Sequence, residues 1–272
     1  MPKTWFITGT SRGFGRSWAK AALERGDKVA ATARATDTLN DLVEAFGDAL
    51  LPLALDVTDR DAAFAAVKQA HDHFGRIDVV VNNAGYGHFG FVEEITEQEA
   101  RAQIETNVFG ALWVTQAAIP LLREQGAGHI VQVSSIGGVG AFPSLGIYHA
   151  SKWALEGFSE ALSQEVAPFG IEVTIIEPGG YATDWGTASA VRSDPHPAYQ
   201  PIRAAMAARR GAARSPGPEA TIAAVLAAVD AEQPPLRLLL SSTAYDLAQN
   251  IYAGRQKVWA DWESTSRSAD AG

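Results

Sequence analysis

Short runs of β-forming residues alternate with longer helical runs along most of this chain, and that alternation limits the fold more than any other feature. The predicted strands cover residues 4–8, 28–33, 51–55, 77–81, 129–134, 171–176 and 236–240. Most of the segments between them carry a helical pattern, and most connections are short. Strands that follow one another through helices lie parallel, with helices on both faces of the sheet. The sequence therefore predicts an α/β fold with a doubly wound parallel sheet.

The pattern is consistent with a single domain over residues 1–262, because no linker or internal repeat interrupts it. The predicted helices cover residues 13–25, 38–46, 60–74, 97–124, 148–167, 218–231 and 244–262, with a bend near Pro120. Residues 181–215 break the pattern after the sixth strand and are rich in Ala, Arg and Pro. We expect them to form an irregular, variable substrate lid, and residues 263–272 to form a polar, frayed tail.

Composition excludes several classes of function. The 272 residues include no cysteine, so disulfides, thiolate catalysis and cysteine-ligated zinc are impossible. A net charge of −9 disfavours nucleic acid or an anionic membrane as the main partner. The six histidines show no metal-ligand spacing, no apolar run approaches a membrane-spanning length, and residues 1–9 lack the features of a signal peptide. We therefore expect a cytoplasmic protein without a metal site.

A glycine-rich turn follows the first strand, and its sequence from Thr8 to Gly15 is Thr-Gly-Thr-Ser-Arg-Gly-Phe-Gly. Glycine permits a tight turn and lets a ligand approach the backbone closely. The helix that begins here offers free N–H groups and a positive dipole end to a pyrophosphate. Its place in the first βαβ unit predicts nucleotide binding by a Rossmann-like sheet, although the spacing is not G-x-G-x-x-G. An ordinary glycine turn is the alternative.

Tyr148 and Lys152 are four residues apart in a predicted helix, and Ser135 precedes the tyrosine by thirteen residues. Positions i and i+4 share one face of a helix, so the phenol and the ammonium can point into one cleft. A nearby cation favours phenolate and predicts a lowered tyrosine pKa, which suits proton transfer near neutral pH. Because this spacing also occurs by chance on helix surfaces, the pair has meaning only together with other motifs.

Those other motifs occur in order along the chain. Asn-Asn-Ala-Gly at 82–85 follows the fourth strand, and Pro-Gly at 178–179 is followed by Thr183. Asn107 lies in the long helix between the fourth and fifth strands. With T-G-x-x-x-G-x-G and Y-x-x-x-K, these motifs resemble those of the short-chain dehydrogenase/reductase family, in its compact single-domain branch. The resemblance covers residues 4–183, and the rest of the chain matches much more loosely.

The resemblance implies a nicotinamide cofactor along the carboxyl ends of the strands. The cofactor-binding residues that it implies are Gly9, Thr10, Ser11, Arg12, Gly13, Phe14, Gly15, Arg34, Asp56, Val57, Asn83, Ala84, Gly85, Asn107, Tyr148, Lys152, Pro178, Gly179 and Thr183. Asp56 and Val57 would contact the adenine of the cofactor. Thr183 and the backbone after Pro178 would hold the carboxamide of the nicotinamide. A local capping role is the alternative for Asp56.

The second strand ends at Ala33, where family members specific for NAD usually carry an acid. Arg34 follows it, and Arg12 lies in the glycine-rich turn. Two guanidinium groups near the adenosine ribose would bind a 2′-phosphate through charge-assisted hydrogen bonds. The sequence therefore predicts a preference for NADP(H), with solvated arginines as the alternative.

The resemblance also implies the catalytic set Asn107, Ser135, Tyr148 and Lys152. Tyr148 would be the acid in reduction and the base in oxidation, and Lys152 would bind the nicotinamide ribose. Ser135 would donate a hydrogen bond to the carbonyl oxygen, and Asn107 would hold a water that connects Lys152 to solvent. Neighbouring residues on a strand face opposite ways, so only one of Ser134 and Ser135 should reach the cleft. The spacing to Tyr148 selects Ser135, and we expect Ser134 to form a local hydrogen bond.

The expected substrate pocket is aromatic and apolar. Besides Ser135 and Tyr148, its predicted members are Tyr86, Phe142, Tyr181 and Trp185. Such a lining suits a bulky ketone or the corresponding alcohol. The segment between residues 186 and 215 contains one acid, Asp194, and five arginines, at positions 192, 203, 209, 210 and 214. They predict capture of an anionic substrate, docking of an acidic acyl carrier protein, or a solvated helix face on a mobile lid.

Together these features predict an NADPH-dependent oxidoreductase that reduces a ketone or aldehyde to an alcohol, reversibly. A 3-oxoacyl carrier-protein reductase is an alternative within the enzymes. A non-catalytic NADP(H)-sensing regulator is an alternative of another class, although a sensor has no need of the four catalytic residues. By the same resemblance we expect a homodimer or homotetramer.

Overall fold

A seven-stranded parallel sheet forms the centre of the computed structural model, which describes residues 2–209 and 215–270. The strands in chain order are β1 (Thr4–Ile7), β2 (Lys28–Ala33), β3 (Leu50–Ala54), β4 (Val79–Asn82), β5 (His88–Phe89), β6 (Gly128–Val133), β7 (Ile171–Pro178), β8 (Val191–Arg192) and β9 (Arg237–Leu240). The sheet order is β3-β2-β1-β4-β6-β7-β9, and β5 pairs with β8 outside it. The predicted α/β, doubly wound, Rossmann-like fold in a single domain is therefore confirmed.

The chain reverses its direction of travel across the sheet between β1 and β4. From β1 it moves outward through β2 to β3, and then it returns to place β4 on the other side of β1. In open parallel sheets, ligands bind outside the carboxyl ends of the strands at such a reversal. The topology therefore locates the site at the ends of β1 and β4.

Helices cover both faces of the sheet. They are α1 (Gly13–Glu24), α2 (Asn40–Phe46), α3 (Arg60–Phe74), α4 (Glu97–Ile104), α5 (Gly110–Gln125), α6 (Gly146–Val166), α7 (Gln200–Arg209), α8 (Ile222–Asp230), α9 (Ser242–Asp261) and α10 (Glu263–Ser268). On one face Trp18 and Val225 pack in a buried cluster, and on the other Val67, Leu122 and Leu162 do so. Both faces of the strands are buried, which explains their nearly continuous apolar sequences.

The prediction of one long helix over 97–124 is wrong in one respect, because a π-helical turn over Glu105–Phe109 separates α4 from α5. Pro120 lies inside α5 and does not end it. This π-helical turn over Glu105–Phe109, called the wide turn below, contains Asn107, whose side chain bonds to the backbone of Tyr86. A single inserted residue of this kind often marks a functional position.

The lid is more regular than predicted. It contains α7, which is rich in alanine and has Pro201 in its first turn, where proline is tolerated. It also contains β8, whose pairing with β5 joins the lid to the segment after β4. The predicted frayed tail is also wrong in part, because α10 is helical and carries an Arg267–Glu263 ion pair one turn apart. Within the described ranges, no helix combines the length and the apolar character needed to cross a bilayer.

Candidate active site

A cleft of about 870 Å³ opens at the carboxyl ends of β1, β2, β4, β6 and β7. The glycine-rich turn and Arg34 line one end of it, and Ser135, Tyr148 and Lys152 line the other. Of the predicted cofactor-binding residues, those on the cleft wall are Gly9, Ser11, Arg12, Gly13, Phe14, Arg34, Asp56, Val57, Asn83, Ala84, Gly85, Tyr148, Lys152, Pro178, Gly179 and Thr183. The fold thus brings residues from most of the chain to one groove.

The glycine-rich turn has the geometry of an anion cradle at the start of α1. Gly9 has φ +69° and Gly13 φ +58°, a left-handed conformation that side chains other than glycine rarely adopt. At Gly9 a β-carbon would also lie 2.9 Å from the α-carbon of Ala84. The first N–H groups of α1 therefore face open space beside these glycines.

Asn83 and Thr8 brace this turn against the end of β4. The Asn83 amide donates to the carbonyl oxygens of Thr8 (2.9 Å) and Gly9 (3.0 Å). In return, the Thr8 hydroxyl accepts from the backbone N–H groups of Asn83 (3.0 Å) and Ala84 (2.9 Å). The two loops that enclose the cleft are therefore fixed to each other.

Three predicted cofactor residues do not line the cleft. The Thr10 side chain is fully buried, and its hydroxyl donates to the Thr32 carbonyl at 3.0 Å. Gly15 packs directly against the Asn83 amide and the Gly9 carbonyl. Thr10 and Gly15 therefore shape the turn, and the third residue, Asn107, lies behind the cleft wall.

Tyr148 and Lys152 occupy the first turns of α6, as their spacing predicts. Both are buried, and Lys152 Nζ lies 5.8 Å from the centroid of the Tyr148 ring. The ammonium donates to the Val133 carbonyl at the end of β6, at 2.8 Å. Ser135 follows that strand and accepts a hydrogen bond from the N–H of Gly137 at 3.0 Å. The structure thus places hydroxyl, phenol and ammonium at one end of the cleft.

Burial dominates the ionisation of this pair. It raises the pKa of Tyr148 to about 12, with the Ser135 hydroxyl acting in the opposite direction. Burial also lowers the pKa of Lys152 to about 8, while the negative charge of Glu156 acts to raise it. The predicted lowering of the Tyr148 pKa is therefore wrong for the protein alone, because loss of solvation outweighs the attraction of the lysine.

Asn107 fixes the loop that forms the floor of the cleft. Its Oδ1 accepts from the Tyr86 N–H at 3.1 Å, and its Nδ2 donates to the Tyr86 carbonyl (3.1 Å) and the Ser151 hydroxyl (3.0 Å). A β-carbon at Gly85 would lie 3.0 Å from Asn107 Oδ1 and 3.7 Å from Lys152 Nζ. The amide and the ammonium therefore approach each other across Gly85.

The far end of the cleft contains no acidic side chain at the end of β2. Ala33 is followed by Arg34, which is exposed and forms no ion pair with any described residue. Arg12 lies 3.9 Å from Asp184 of the lid, and both side chains are half exposed. Asp56 accepts from the N–H (3.0 Å) and hydroxyl (2.8 Å) of Thr58, so its capping role coexists with its place on the wall.

Trp185 of the lid packs against Tyr148, with ring centroids 4.9 Å apart. Its indole also packs on Phe89 at 5.2 Å and directly against Gly87. Tyr86 and Tyr181 line the cleft as well, the latter edge-on to Phe14 at 5.3 Å. Three of the four predicted aromatic pocket residues are therefore at the cleft.

Phe142 is the exception among them. Its ring packs on His149 with 5.4 Å between centroids, and its N–H donates to His149 Nδ1 at 3.2 Å. It does not line the cleft, because the loop after Ser135 turns toward α9, where Gly140 meets Ile251.

Ser134 was expected to bond locally, and that expectation is wrong. Its hydroxyl is buried at the cleft wall and has no hydrogen-bond partner among the described residues. Sequence reasoning also missed Leu55, Thr58, Thr106 and Gly180 on the wall. These residues lie at the ends of strands or helices, and that position could have indicated that they line the cleft.

The described arginines of the lid hold it in place. Arg203 pairs with the buried carboxylate of Glu94 and lies over the Phe91 ring at 4.8 Å. Arg192 lies over Phe89 at 5.0 Å and donates to the Gly186 carbonyl. The structure therefore favours an anchoring role for both, while Arg210, Arg214 and the side chain of Arg209 are outside the described residues.

A second lid contact is a buried polar set around Ser193. Its hydroxyl lies 2.7 Å from His88 Nε2 and donates to Glu99 at 3.1 Å. His88 is fully buried, and burial lowers its pKa. His88 therefore joins the lid to α4 and does not reach the cleft.

Comparison with known proteins agrees with this architecture. The family model for short chain dehydrogenase matches residues 3–193. The oxidoreductase BOA17 of Botryotinia fuckeliana is 46% identical over 254 residues, which are 91% of this chain and 92% of that protein. A crystal structure of a short-chain dehydrogenase from Streptomyces avermitilis is 40% identical, with a TM-score of 0.91 and 98% of each chain covered. One from Burkholderia cenocepacia, in complex with NADP, is 29% identical with a TM-score of 0.76, covering 96% of this chain and 97% of that one.

The fold and the cleft define a Rossmann-like oxidoreductase. The chain belongs to the short-chain dehydrogenase/reductase family, whose members use NAD(P)(H) and act on small molecules.

Proposed function

We propose that this protein is an NADPH-dependent oxidoreductase that reduces a ketone or aldehyde to an alcohol, reversibly. The observation that carries the proposal is the arrangement of one cleft. A glycine-rich anion cradle lies at one end, and the hydroxyl, phenol and ammonium of Ser135, Tyr148 and Lys152 lie at the other.

The residues present fit a nicotinamide dinucleotide. The left-handed turns at Gly9 and Gly13 leave room for a pyrophosphate beside the first N–H groups of α1. Asp56 and Val57 would hold the adenine, and Thr183 with the backbone after Pro178 would hold the carboxamide end. When bound, the cofactor supplies or accepts the hydride.

The phosphorylated cofactor is the better match for the charges. Arg34 extends from the end of β2 without an ion pair among the described residues, and no carboxylate occupies the position of Ala33. Arg12 lies on the same wall. Both guanidinium groups would attract a ribose 2′-phosphate, whereas the ribose hydroxyls of NADH would lack an acidic acceptor. Similar solved structures hold NADP in one case and NADH in another, so the proposed preference rests on these charges.

The four proposed catalytic residues divide into three that face the reacting atoms and one that positions them. Tyr148 gives its proton to the carbonyl oxygen in reduction and takes it back in oxidation. Ser135 donates a hydrogen bond to the same oxygen as it gains negative charge. Lys152 supplies positive charge beside the phenol, and Asn107 fixes the floor of the cleft through Tyr86.

The lining of the reacting end favours a bulky apolar carbonyl compound. Trp185 presents aromatic surface there beside Tyr148, and Tyr86 and Tyr181 add aromatic surface elsewhere on the wall. The two described lid arginines that could attract an acid are engaged with other residues. This argues against a 3-oxoacyl carrier-protein reductase, which needs a cationic docking surface for an acidic partner protein.

A screen of NADPH consumption across aryl, steroid-like and aliphatic ketones, with a 3-oxoacyl thioester included, tests the proposal. We expect turnover with at least one bulky apolar ketone and a single product enantiomer. Turnover of the thioester alone would establish the carrier-protein reductase. NADPH binding without any turnover would favour the non-catalytic sensor.

We further propose a cytoplasmic homodimer or homotetramer. Phe109 and Trp153 are 38% and 45% exposed on the wide turn and α6, where a partner subunit would cover apolar surface. Light scattering of the purified protein measures the subunit number, and a monomer would contradict the proposal.

A further inference from the structure

A buried polar cluster continues the row of Tyr148 and Lys152 along α6. Glu156 lies one helical turn beyond Lys152 and is only 7% exposed. Side chains at i and i+4 are neighbours on a helix surface, so the carboxylate faces the same side as the ammonium. Glu156 does not line the cleft. It therefore lies beside Lys152 on the side away from Tyr148.

A second carboxyl group meets Glu156 from the sheet. Glu177 is the residue before Pro178 at the end of β7, and it is 2% exposed. Burial, with the neighbouring charge of Glu156, raises the pKa of Glu177 to about 8, against the attraction of Arg237. Burial and the charge of Glu156 therefore both favour the protonated form of Glu177.

Arg237 of β9 fixes this pair from the outer edge of the sheet. Its Nε lies 3.0 Å from Glu156 Oε2 and 3.6 Å from Glu177 Oε1, and its Nη2 lies 2.7 Å from Glu160 Oε2. One guanidinium thus holds three carboxyl groups, and Glu160 is the exposed one.

The inner side of the cluster is not satisfied by hydrogen bonds. Glu156 Oε1 and Ser134 Oγ are buried without a partner among the described residues, and both lie close to Gly138. Lys152 is the nearest cation on the same helix face, and its pKa is raised by Glu156 against the effect of burial. A buried carboxylate oxygen with no hydrogen bond interacts strongly with such a neighbour because little water screens it.

We infer that Glu156 is a positioning residue of the proposed site, which keeps Lys152 protonated from the side opposite Tyr148 while Glu177 and Arg237 hold it in place. The inference rests on the proposed role of Lys152 and assigns a reason for its charge in a buried location. Without this carboxylate, burial alone would act on the lysine, and the cation beside the phenol would be lost at a lower pH.

The titratable or charged groups around Lys152 are few in the described structure. On α6 they are Tyr148, His149, Glu156 and Glu160. The sheet adds Glu177 of β7 and Arg237 of β9, and the loop at Gly85 adds Tyr86. Of these, Glu156 is the group whose charge acts on the pKa of Lys152. The turn after β6 contributes Ser134, Ser135, Ile136, Gly137 and Gly138, none of which carries a charge. The pH response of Lys152 therefore reports mainly on Glu156.

Lysine-selective NMR tests this directly, because the chain has only six lysines, at 3, 20, 28, 68, 152 and 257. The full-length protein is labelled with [ε-¹³C]lysine, Lys152 is assigned with Lys152→Arg, and its signal is titrated in wild type and variants. Glu156→Gln should lower the Lys152 midpoint by about one pKa unit or more, since a nearby opposite charge is removed. Glu160→Gln, the exposed control on the same helix, and Glu177→Gln, which mimics the protonated acid, should leave it unchanged.

An unchanged midpoint in Glu156→Gln overturns the inference, as does an equal fall in Glu160→Gln. If Glu156→Gln does not fold by circular dichroism, Glu156→Asp decides instead, because it keeps the carboxylate but withdraws it by one methylene, so the Lys152 midpoint should still fall measurably. An unchanged midpoint in Glu156→Asp would then overturn the inference. Because no substrate is used, these results are independent of the ketone screen, whose failure would count against the proposed function instead.

Discussion

Two parts of the site, the carboxyl edge of the sheet and the lid, are held in place in different ways. At the sheet edge, one hydrogen bond joins Asn83 after β4 to Gly9 after the adjacent strand β1, and another joins Lys152 of α6 to the end of β6. The lid is attached by the short β5–β8 pair and by side-chain contacts to residues 88–99. Under the proposed function, the chemistry depends on this sheet edge, called the rigid edge below, and the choice of substrate depends on the lid that is fastened to it.

The largest expected effect tests the rigid edge. Tyr148→Phe removes the proton donor and leaves the ring, so we expect kcat to fall by about 10²–10⁴. Cofactor binding should persist, because the glycine-rich turn is untouched. Steady-state kinetics with fluorescence titration of NADPH measures both. Near-normal turnover would show that the proton comes from another group.

The second-largest effect is expected at the end of the cleft proposed to hold the adenosine, where arginines supply positive charge. Arg34→Ala, alone and with Arg12→Ala, should lower kcat/KM for NADPH about 10-fold or more, since each removes a charge-assisted hydrogen bond. The value for NADH should change little. Arg76→Ala is a matched control, because Arg76 pairs with Asp78 on the surface. A wild-type preference for NADH would contradict the assignment of cofactor.

A smaller effect is expected where the lid is fastened. Arg203 holds the pKa of Glu94 well below its usual value of 4.5, at about 2. Because this pKa is depressed in the folded protein, the anchor should persist above about pH 4.5 and weaken as the pH falls toward 2.

Glu94→Gln should loosen the lid at neutral pH, raising KM a few-fold and leaving kcat largely unchanged. Hydrogen exchange of residues 191–199 should become faster. Glu97→Gln is the control, because among the described residues Glu97 pairs with Arg101 alone, on the surface of α4. Equal exchange in both variants would mean that the ion pair does not hold the lid.

The smallest effect separates two aromatic residues that look equivalent in the sequence. Phe142→Leu should change KM by less than about twofold, because its ring packs on His149 outside the cleft. Trp185→Leu should change it about 10-fold, because the indole lies against Tyr148. Steady-state kinetics on one ketone compares them, and a larger effect at Phe142 would place the pocket elsewhere.

The sequence predicted the rigid edge well, because its features are local. Strand alternation, the left-handed glycines and the spacing of Tyr148 and Lys152 each follow from a few neighbouring residues. The fold is confirmed, and the cleft gathers most of the predicted residues. Thr10 and Gly15 do not line the cleft, and the motif alone does not tell which of its residues face inward.

The lid could not be predicted in the same way. Its structure depends on contacts between residues far apart in the chain, such as Ser193 with Glu99 and Arg203 with Glu94. No local pattern marks Glu94 as the partner of an arginine 109 positions later. The ionisation of Tyr148 was also beyond reach, since it depends on burial by the whole fold.

The wide turn over Glu105–Phe109 has an evolutionary consequence. Deleting one residue there would restore a regular helix and rotate α4 by about 100° relative to α5. Glu99 would leave Ser193, and Asn107 would leave Tyr86, so both the lid and the floor of the cleft would lose support. A descendant could therefore exchange almost any exposed residue of this helix pair, but it could not shorten it by one.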